Sequence, residues 1–409
     1  MELAGREVLV LGFGVSGRSA ADHCVRRGAR VVVADERPAE RIPEAARLPA
    51  GVVGHFGKPF PDLARFDLVI PSPGIPRERY AGRARLAWGD IELCAQALEI
   101  PIVAVTGTNG KSTVVRLIEA LARGAGLRAE AAGNIGTPAL ELVGKPLDLA
   151  VLEISSFQLE SVETFRPRTA VFLNITPDHY DRHGDLAGYL AAKARIFARQ
   201  GRGDHAILNG DDALVATTAT PDGVERLLFF RDEAKAAASH AASRADGRAD
   251  GRVDGRVDGR AWIAGDRIEI RLRDRAHSIS LAGAPGLAQQ KENVMAALLA
   301  LASLEVELGI DLARAAEALS DFEGLPHRCV RVASQGGVDW YDDSKATNLG
   351  AAARALETVK PPIVWIAGGK HKGADLGPLA ASARGRVRVA LLIGEAAPEL
   401  ERALAGTVP

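Results

Sequence analysis

The sequence predicts an α/β protein of three modules, and three observations carry that prediction. Strand-length apolar runs rich in Val, Ile and Leu alternate with Ala/Leu/Arg stretches of helical pattern along most of the chain, the signature of parallel sheets covered by helices. Two glycine-rich loops sit where such a strand would hand over to a helix. The length, 409 residues, exceeds what one core usually serves.

Taken in order, "EVLVLGFG", "RVVVADE" and "DLVIPSPG" form a first group of strands. The loop after the first, "GFGVSG", holds Gly12, Gly14 and Gly17, and Asp35 ends the second strand about twenty residues on, which is the spacing of a Rossmann-like dinucleotide loop. Such a loop holds any diphosphate, so alone it does not choose a ligand. "PIVAVTGT", "LAVLEISS", "TAVFLNIT" and "HAILNGDD" form the second group, and "VDWYDDS", "PIVWIAGG" and "RVALLIGE" the third. The expected boundaries are 1–90, 91–324 and 325–409, with "FEGLPHR" as the last linker. Between the second and third groups, the four-residue repeat from Ser243 to Ala261 has balanced charge and regular glycines, and is expected to be a flexible surface insertion.

The second group opens on "VAVTGTNGKST", Val103 to Thr113. An apolar strand, two glycines around a lysine and hydroxyls at a helix start bring backbone N–H groups and a helix dipole to bear on phosphate. Gly107, Thr108, Asn109, Gly110, Lys111, Ser112 and Thr113 make a P-loop shorter than G-x-x-x-x-G-K-[ST], because Val105 stands where that pattern has its first glycine. Lys111 suits β- and γ-phosphates and Ser112 suits Mg²⁺. Glu153 ends the next strand, where ligands gather in such sheets. His179, Asp181 and His183 follow "TAVFLNIT" without closing a known zinc spacing.

Charge excludes some partners. With 51 Lys plus Arg against 52 Asp plus Glu, nothing favours nucleic acid or an anionic membrane. Three scattered cysteines argue against a disulfide scaffold and for the cytoplasm. The N-terminal apolar run is of strand length and reads as neither signal peptide nor membrane span.

Lined up in order, "GDIELC", "VTGTNGKST", "AGNIGTPAL", "LEISSFQLE", "NITPDHYDRH", "YLAAKARIF", "GLPHR" and "DDSKATN" resemble the Mur ligase family over nearly the whole chain, and within it the members that add D-glutamate to UDP-N-acetylmuramoyl-L-alanine. The short P-loop is that family's form. The resemblance implies ATP-dependent amide formation through an acyl phosphate in peptidoglycan precursor synthesis, by a cytoplasmic monomer. It implies catalytic roles for Lys111, Glu153, His179 and Lys193, with Lys111 on the γ-phosphate. Ser112 and Glu153 would hold one Mg²⁺ and His179 the second. Lys193 would be a carbamate, formed with CO₂, that serves as a metal ligand; by composition alone it reads as a solvated helix lysine. Asn134 and His179 would face the muramoyl substrate. Val15 and Ser16 would serve its diphosphate, and Asp35, Glu36, Arg37, Ser72 and Gly74 its uridine. Asn293, Arg328 and Asp343 would contact ATP, and Lys345, Thr347 and Lys372 the two carboxylates of D-glutamate.

The sequence departs from the family in two places. Gln289 and Gln290 stand where the adenine-side pattern has His-Asn, and the chain lacks the family's closing strands, so the third module is expected to be incomplete and D-glutamate ligation weak. Competing readings are another Mur or folylpolyglutamate-type ligase, a non-catalytic descendant, and an NAD-dependent dehydrogenase, which would leave Lys111 and Lys193 unused.

Overall fold

The computed structural model describes residues 2–245, 257–284, 287, 290–370, 373 and 375–408. Four parallel strands, β1 (Glu7–Leu11), β2 (Arg30–Asp35), β3 (Val53–Phe56) and β4 (Leu68–Pro71), form a first sheet in the order β3-β2-β1-β4. Helix Val15–Arg26 starts directly after the Gly12 loop. A Cβ on Gly17 would lie 2.1 Å from the Gly12 carbonyl oxygen, so only glycine lets helix and loop approach this closely.

The central sheet has nine strands. β5 (Ile102–Thr106), β6 (Ala129–Gly133), β7 (Leu149–Glu153), β8 (Thr169–Phe172), β9 (His205–Asn209) and β10 (Glu225–Phe230) are parallel, and β11 (Gly259–Ala264) extends them. β12 (Arg267–Arg271) and β13 (Ala276–Ser280) add an antiparallel edge, giving the order β13-β12-β11-β10-β9-β8-β5-β7-β6. β5, wholly buried, lies between β7 and β8, so its C-terminal end, where the P-loop begins, faces both neighbours' ends.

Alternate residues of β5 feed two cores. Val103 and Val105 pack with helices Lys111–Gly124 and Lys291–Ser303. Ile102 and Ala104 join a core that also contains Val8, Val10 and Ile70 of the first sheet. The first and central modules therefore share one continuous apolar interior. Beside that seam and within the central module, Glu92, wholly buried in helix Asp90–Ala97, accepts the N–H groups of Glu163 (2.8 Å), Thr164 (3.0 Å) and Phe165 (3.0 Å) and the hydroxyl of Thr164. A buried carboxylate is tolerable only when so satisfied.

The third module has a core of its own, around Leu356, Leu379, Ala383 and Leu400. Here the expectation of a simple parallel set is corrected. "VDWYDDS" is β15 (Val338–Asp342), paired antiparallel with β14 (Val330–Gln335), while β16 (Ile363–Gly368) and β17 (Val387–Ile393) form a separate parallel pair. Val364, Ile366, Leu391 and Ile393 on that pair stand in solvent, as does Trp340 on the hairpin. The expected insertion is also narrower than drawn. Residues 243–245 end helix Glu233–Ala245 and Gly259 begins β11; the remainder, 246–256, lies outside the described residues.

Candidate active site

The P-loop is built around two glycines. Gly110, at φ 86°, caps helix Lys111–Gly124 in the left-handed region, and a Cβ there would come within 2.7 Å of Asn293 Oδ1. Asn293 is thereby placed against the loop. Asn174, at the end of β8, accepts the Asn109 N–H (2.8 Å) and donates to the Asn109 carbonyl (3.0 Å), while Thr108 Oγ1 accepts the Thr176 N–H (3.0 Å). Asn174 and Thr176 were legible only as part of a strand-end string. Their bonds to the loop appear once β5 and β8 are neighbours.

Two lysines meet on this loop. Lys111 Nζ donates to the carbonyls of Gly107 (2.9 Å) and Thr108 (2.9 Å), and Lys193 Nζ donates to the same Gly107 carbonyl (2.8 Å). Lys193 is 1% exposed, with Nζ 4.6 Å from the ring centre of Tyr189. Burial, and then the charge of Lys111, holds its pKa well below the ordinary lysine value, against the pull of Asp178 and Glu153. Lys111 is lowered too, by burial and by Arg328, with Glu153 and Asp178 opposing. Helix Leu186–Ala194, capped by the Asp185 side chain on Gly188 N–H, is what carries Lys193 inward.

Glu153 is 2% exposed. Its Oε1 accepts the Asn134 side-chain N–H (2.8 Å), and its Oε2 is buried without a hydrogen-bond partner. An orphaned carboxylate oxygen beside lysines and a hydroxyl is the donor a hard cation completes. Among the described residues no three His, Cys, Asp or Glu side chains gather as a ready cation cage. Mg²⁺ bound with nucleotide needs no such cage, because phosphate oxygens and water supply most ligands; Ser112 and Glu153 fit that pattern. His179, at φ 54°, caps the short helix Tyr180–His183, and its ring packs between Phe157 (4.9 Å) and Tyr189 (5.9 Å), the ring under Lys193. Lys111 and Lys193 thus meet on one P-loop carbonyl, Glu153 acts on both, and His179 neighbours Lys193 through the Tyr189 ring.

Third-module residues reach the P-loop from the side. Arg328 Nη2 donates to Ser112 Oγ (2.9 Å). Asn348 caps helix Leu349–Thr358 and exchanges side-chain hydrogen bonds with Asn109 (2.9 and 3.2 Å). Neither Asn109–Asn348 nor any other such pairing was foreseeable from spacing, since the partners lie 239 residues apart. Asp343 accepts the Cys329 N–H (2.9 Å), and burial raises its pKa. Lys345 and Thr347 are exposed on the loop leading to Asn348. Lys372 and Gln289 lie outside the described residues. Gln290 starts helix Lys291–Ser303 with a buried, unpartnered Oε1.

In the first module, Asp35 accepts the Phe13 N–H (3.0 Å) and pairs with Arg37 (2.7 Å). Burial would raise its pKa, but the Arg37 guanidinium and the backbone N–H groups outweigh that and lower it. Ser72 Oγ donates to the Gly12 carbonyl (2.7 Å), so "SPGI" braces the diphosphate-type loop. Val15 is exposed at the helix start, Ser16 is half-buried beside it, Gly74 has open space at its Cβ position, and Glu36 pairs with Arg79 (2.7 Å).

The chain belongs to the Mur ligase family, and is an ATP-dependent ligase forming a C–N bond. It matches the Mur ligase middle domain over residues 105–301, the Mur ligase MurD-like N-terminal domain over 6–89, and the Mur ligase glutamate ligase domain over 327–408. The UDP-N-acetylmuramoylalanine--D-glutamate ligase of Aromatoleum aromaticum is 42% identical, across 99% of this chain and 86% of that one. The enzyme of the same name from Pelotomaculum thermopropionicum is 38% identical, across 96% and 83%. Among solved structures, a pseudomurein peptide ligase type C from Methanothermus fervidus and MurF from Acinetobacter baumannii each share the fold with TM-score 0.58 at 17% identity, over 99% of this chain and 88% and 81% of theirs. Among the described residues, no helix is long and apolar enough to cross a membrane.

Proposed function

We propose that the chain joins D-glutamate to UDP-N-acetylmuramoyl-L-alanine, as a cytoplasmic monomer, using residues 1–90 for the UDP substrate, 91–324 for ATP and 325–409 for the amino acid. The observation that supports this most is the meeting of Lys111 and Lys193 on the Gly107 carbonyl beside the orphaned Glu153 oxygen. A carboxylate and a γ-phosphate repel one another, and Lys111 together with metal ions held near Glu153 and Lys193 would lower that barrier.

ATP bound with Mg²⁺ supplies the phosphoryl group that turns the L-alanyl carboxylate into an acyl donor. Lys111 leaves its loop carbonyls to hold the γ-phosphate. Ser112 and Glu153 would ligate one Mg²⁺, and His179 the second. Burial disfavours the charged form of Lys193 and so favours the amine, whose lone pair would add to CO₂; the carbamate would form with loss of one proton to solvent and offer an anionic metal ligand. Asn134 orients Glu153 and faces the muramoyl end of the substrate. Val15 and Ser16 offer a helix start to its diphosphate, and Asp35, Glu36, Arg37, Ser72 and Gly74 its uridine. Asn293, Gln290, Arg328 and Asp343 serve the nucleoside of ATP. Lys345, Thr347 and Lys372 hold D-glutamate, whose amine attacks the acyl carbon and expels phosphate. Closure of the third module excludes water from the acyl phosphate.

The test is ADP release from ATP and UDP-N-acetylmuramoyl-L-alanine as each of D-glutamate, L-glutamate and meso-diaminopimelate is added. Stimulation by D-glutamate with a product heavier by one glutamyl residue is expected; stimulation by another amino acid instead would overturn the reading. Lys193→Ala should lower turnover about a thousandfold while the melting curve stays in place. Depleting CO₂ should slow the unaltered enzyme reversibly, and bicarbonate should not rescue the variant.

A further inference from the structure

The seam between the first and central modules carries a half-open pocket of about 440 Å³, lined by none of the residues assigned above to the ligase reaction. Its walls come from both modules: Arg77 and Tyr80 from the segment after "SPGI", and Glu160, Glu163, Arg195 and Arg199 from the central one. We propose that this cavity is a second anion site, taking a small phosphate-bearing ligand that braces the two modules against each other.

The charge arrangement carries this. Among the described residues, Arg77, Arg195 and Arg199 form no ion pair, and Arg77 makes no side-chain hydrogen bond. Arg195 is aimed by donating Nε to the Leu159 carbonyl (2.7 Å) and Nη2 to that of Val162 (2.5 Å), and Arg199 Nε donates to the Glu163 carbonyl (2.7 Å). The two wall carboxylates are engaged elsewhere. Glu160 is held by Nε (3.0 Å) and Nη2 (2.6 Å) of Arg182, and Glu163 accepts the Trp88 indole N–H (2.8 Å). Three arginines, Arg195 half-buried and Arg77 and Arg199 exposed, are left lining one half-open pocket, and their planar forks match phosphate oxygens in pairs. Arg77 and Arg199 both act on Arg195 as like charges, so an anion among them would relieve that repulsion.

The site is separate from the P-loop and from the Gly12 loop, since neither contributes to its walls. It is nonetheless joined to both. Arg182, which holds Glu160, also donates to the Ile75 carbonyl (2.9 Å) beside Ser72, and Arg195 begins the turn after the helix that carries Lys193. Filling the cavity should therefore stiffen the floor of the UDP-substrate cleft and lower the KM for that substrate.

Inorganic phosphate and pyrophosphate would be titrated calorimetrically into the full chain with its P-loop saturated by Mg²⁺ and a non-hydrolysable ATP analogue. The double variant Arg77→Gln/Arg199→Gln changes two exposed side chains outside the catalytic machinery. Saturable binding to the unaltered chain, weakened about tenfold or more in the variant with kcat unchanged, is expected. No saturable heat with either anion, or equal affinity in the variant, would overturn the proposal. Amide exchange gives a second readout: phosphate should protect residues 77–87 in the unaltered chain alone, and equal protection in both would count against it. Neither measurement depends on which amino acid the enzyme ligates.

Discussion

The two seams of this molecule are built differently. Between the first and central modules the join is an apolar core, with Val8, Val10, Ala104 and Leu152 in one cluster and the Trp88 indole N–H donating to Glu163 across it. Between the central and third modules it is polar and sparse: Asn109 with Asn348, Arg328 with Ser112, and Arg354 with Glu292. Apolar burial without a directional alternative holds two bodies as one, whereas a few exchangeable hydrogen bonds, each of net worth near 1 kcal/mol, allow docking and release. The module that must deliver an amino acid and let a product leave is the one joined loosely.

The largest effect beside this seam should come from Glu92→Ala, which leaves the N–H groups of residues 163–165 without their carboxylate acceptor. A loss of about 3 kcal/mol is expected, with the first and central modules still unfolding together in urea; separate transitions for them would break the comparison. Acid acts on the same body. Burial, then Arg27 and Arg26, pushes His23 down to about 4 from 6.5, so below pH 6.5 the unfolded chain takes up a proton that the folded chain resists. Its contribution is complete above pH 6.5 and is lost as pH falls towards about 4; His23→Gln should flatten that part of the stability curve. At the polar seam, a double-mutant cycle of Asn109→Ala and Asn348→Ala should give a coupling of about 1 kcal/mol in turnover and almost none in melting temperature. Coupling seen only in stability would mean the pair is a structural bond. Smallest of all, Ile366→Ser on the exposed face of β16 should shift stability by less than about 0.5 kcal/mol, because the side chain is 58% exposed.

Legibility followed the range of the forces involved. All ten apolar runs singled out in the sequence are strands, since β-branched content and alternation are local properties. β6, "AEAAG", was invisible because small alanines carry no strand signal, and it is fixed by pairing with β7. The edge strands β12 and β13 were missed for a related reason: short charged hairpins next to a repeat look like loop.

By itself the sequence determined the local chemistry: a glycine-lysine-serine turn after a buried strand, a diphosphate-type loop near the start, and the ordered strings that mark the family. Tertiary structure alone decided what each group's surroundings do to it. Lys193, a plain helix lysine by composition, loses its water and shares the Gly107 carbonyl with Lys111. Glu92 becomes a clasp, and Arg77, Arg195 and Arg199 come to line one pocket. Desolvation and charge pairing depend on neighbours brought together by folding from far along the chain, and no short stretch of sequence contains them.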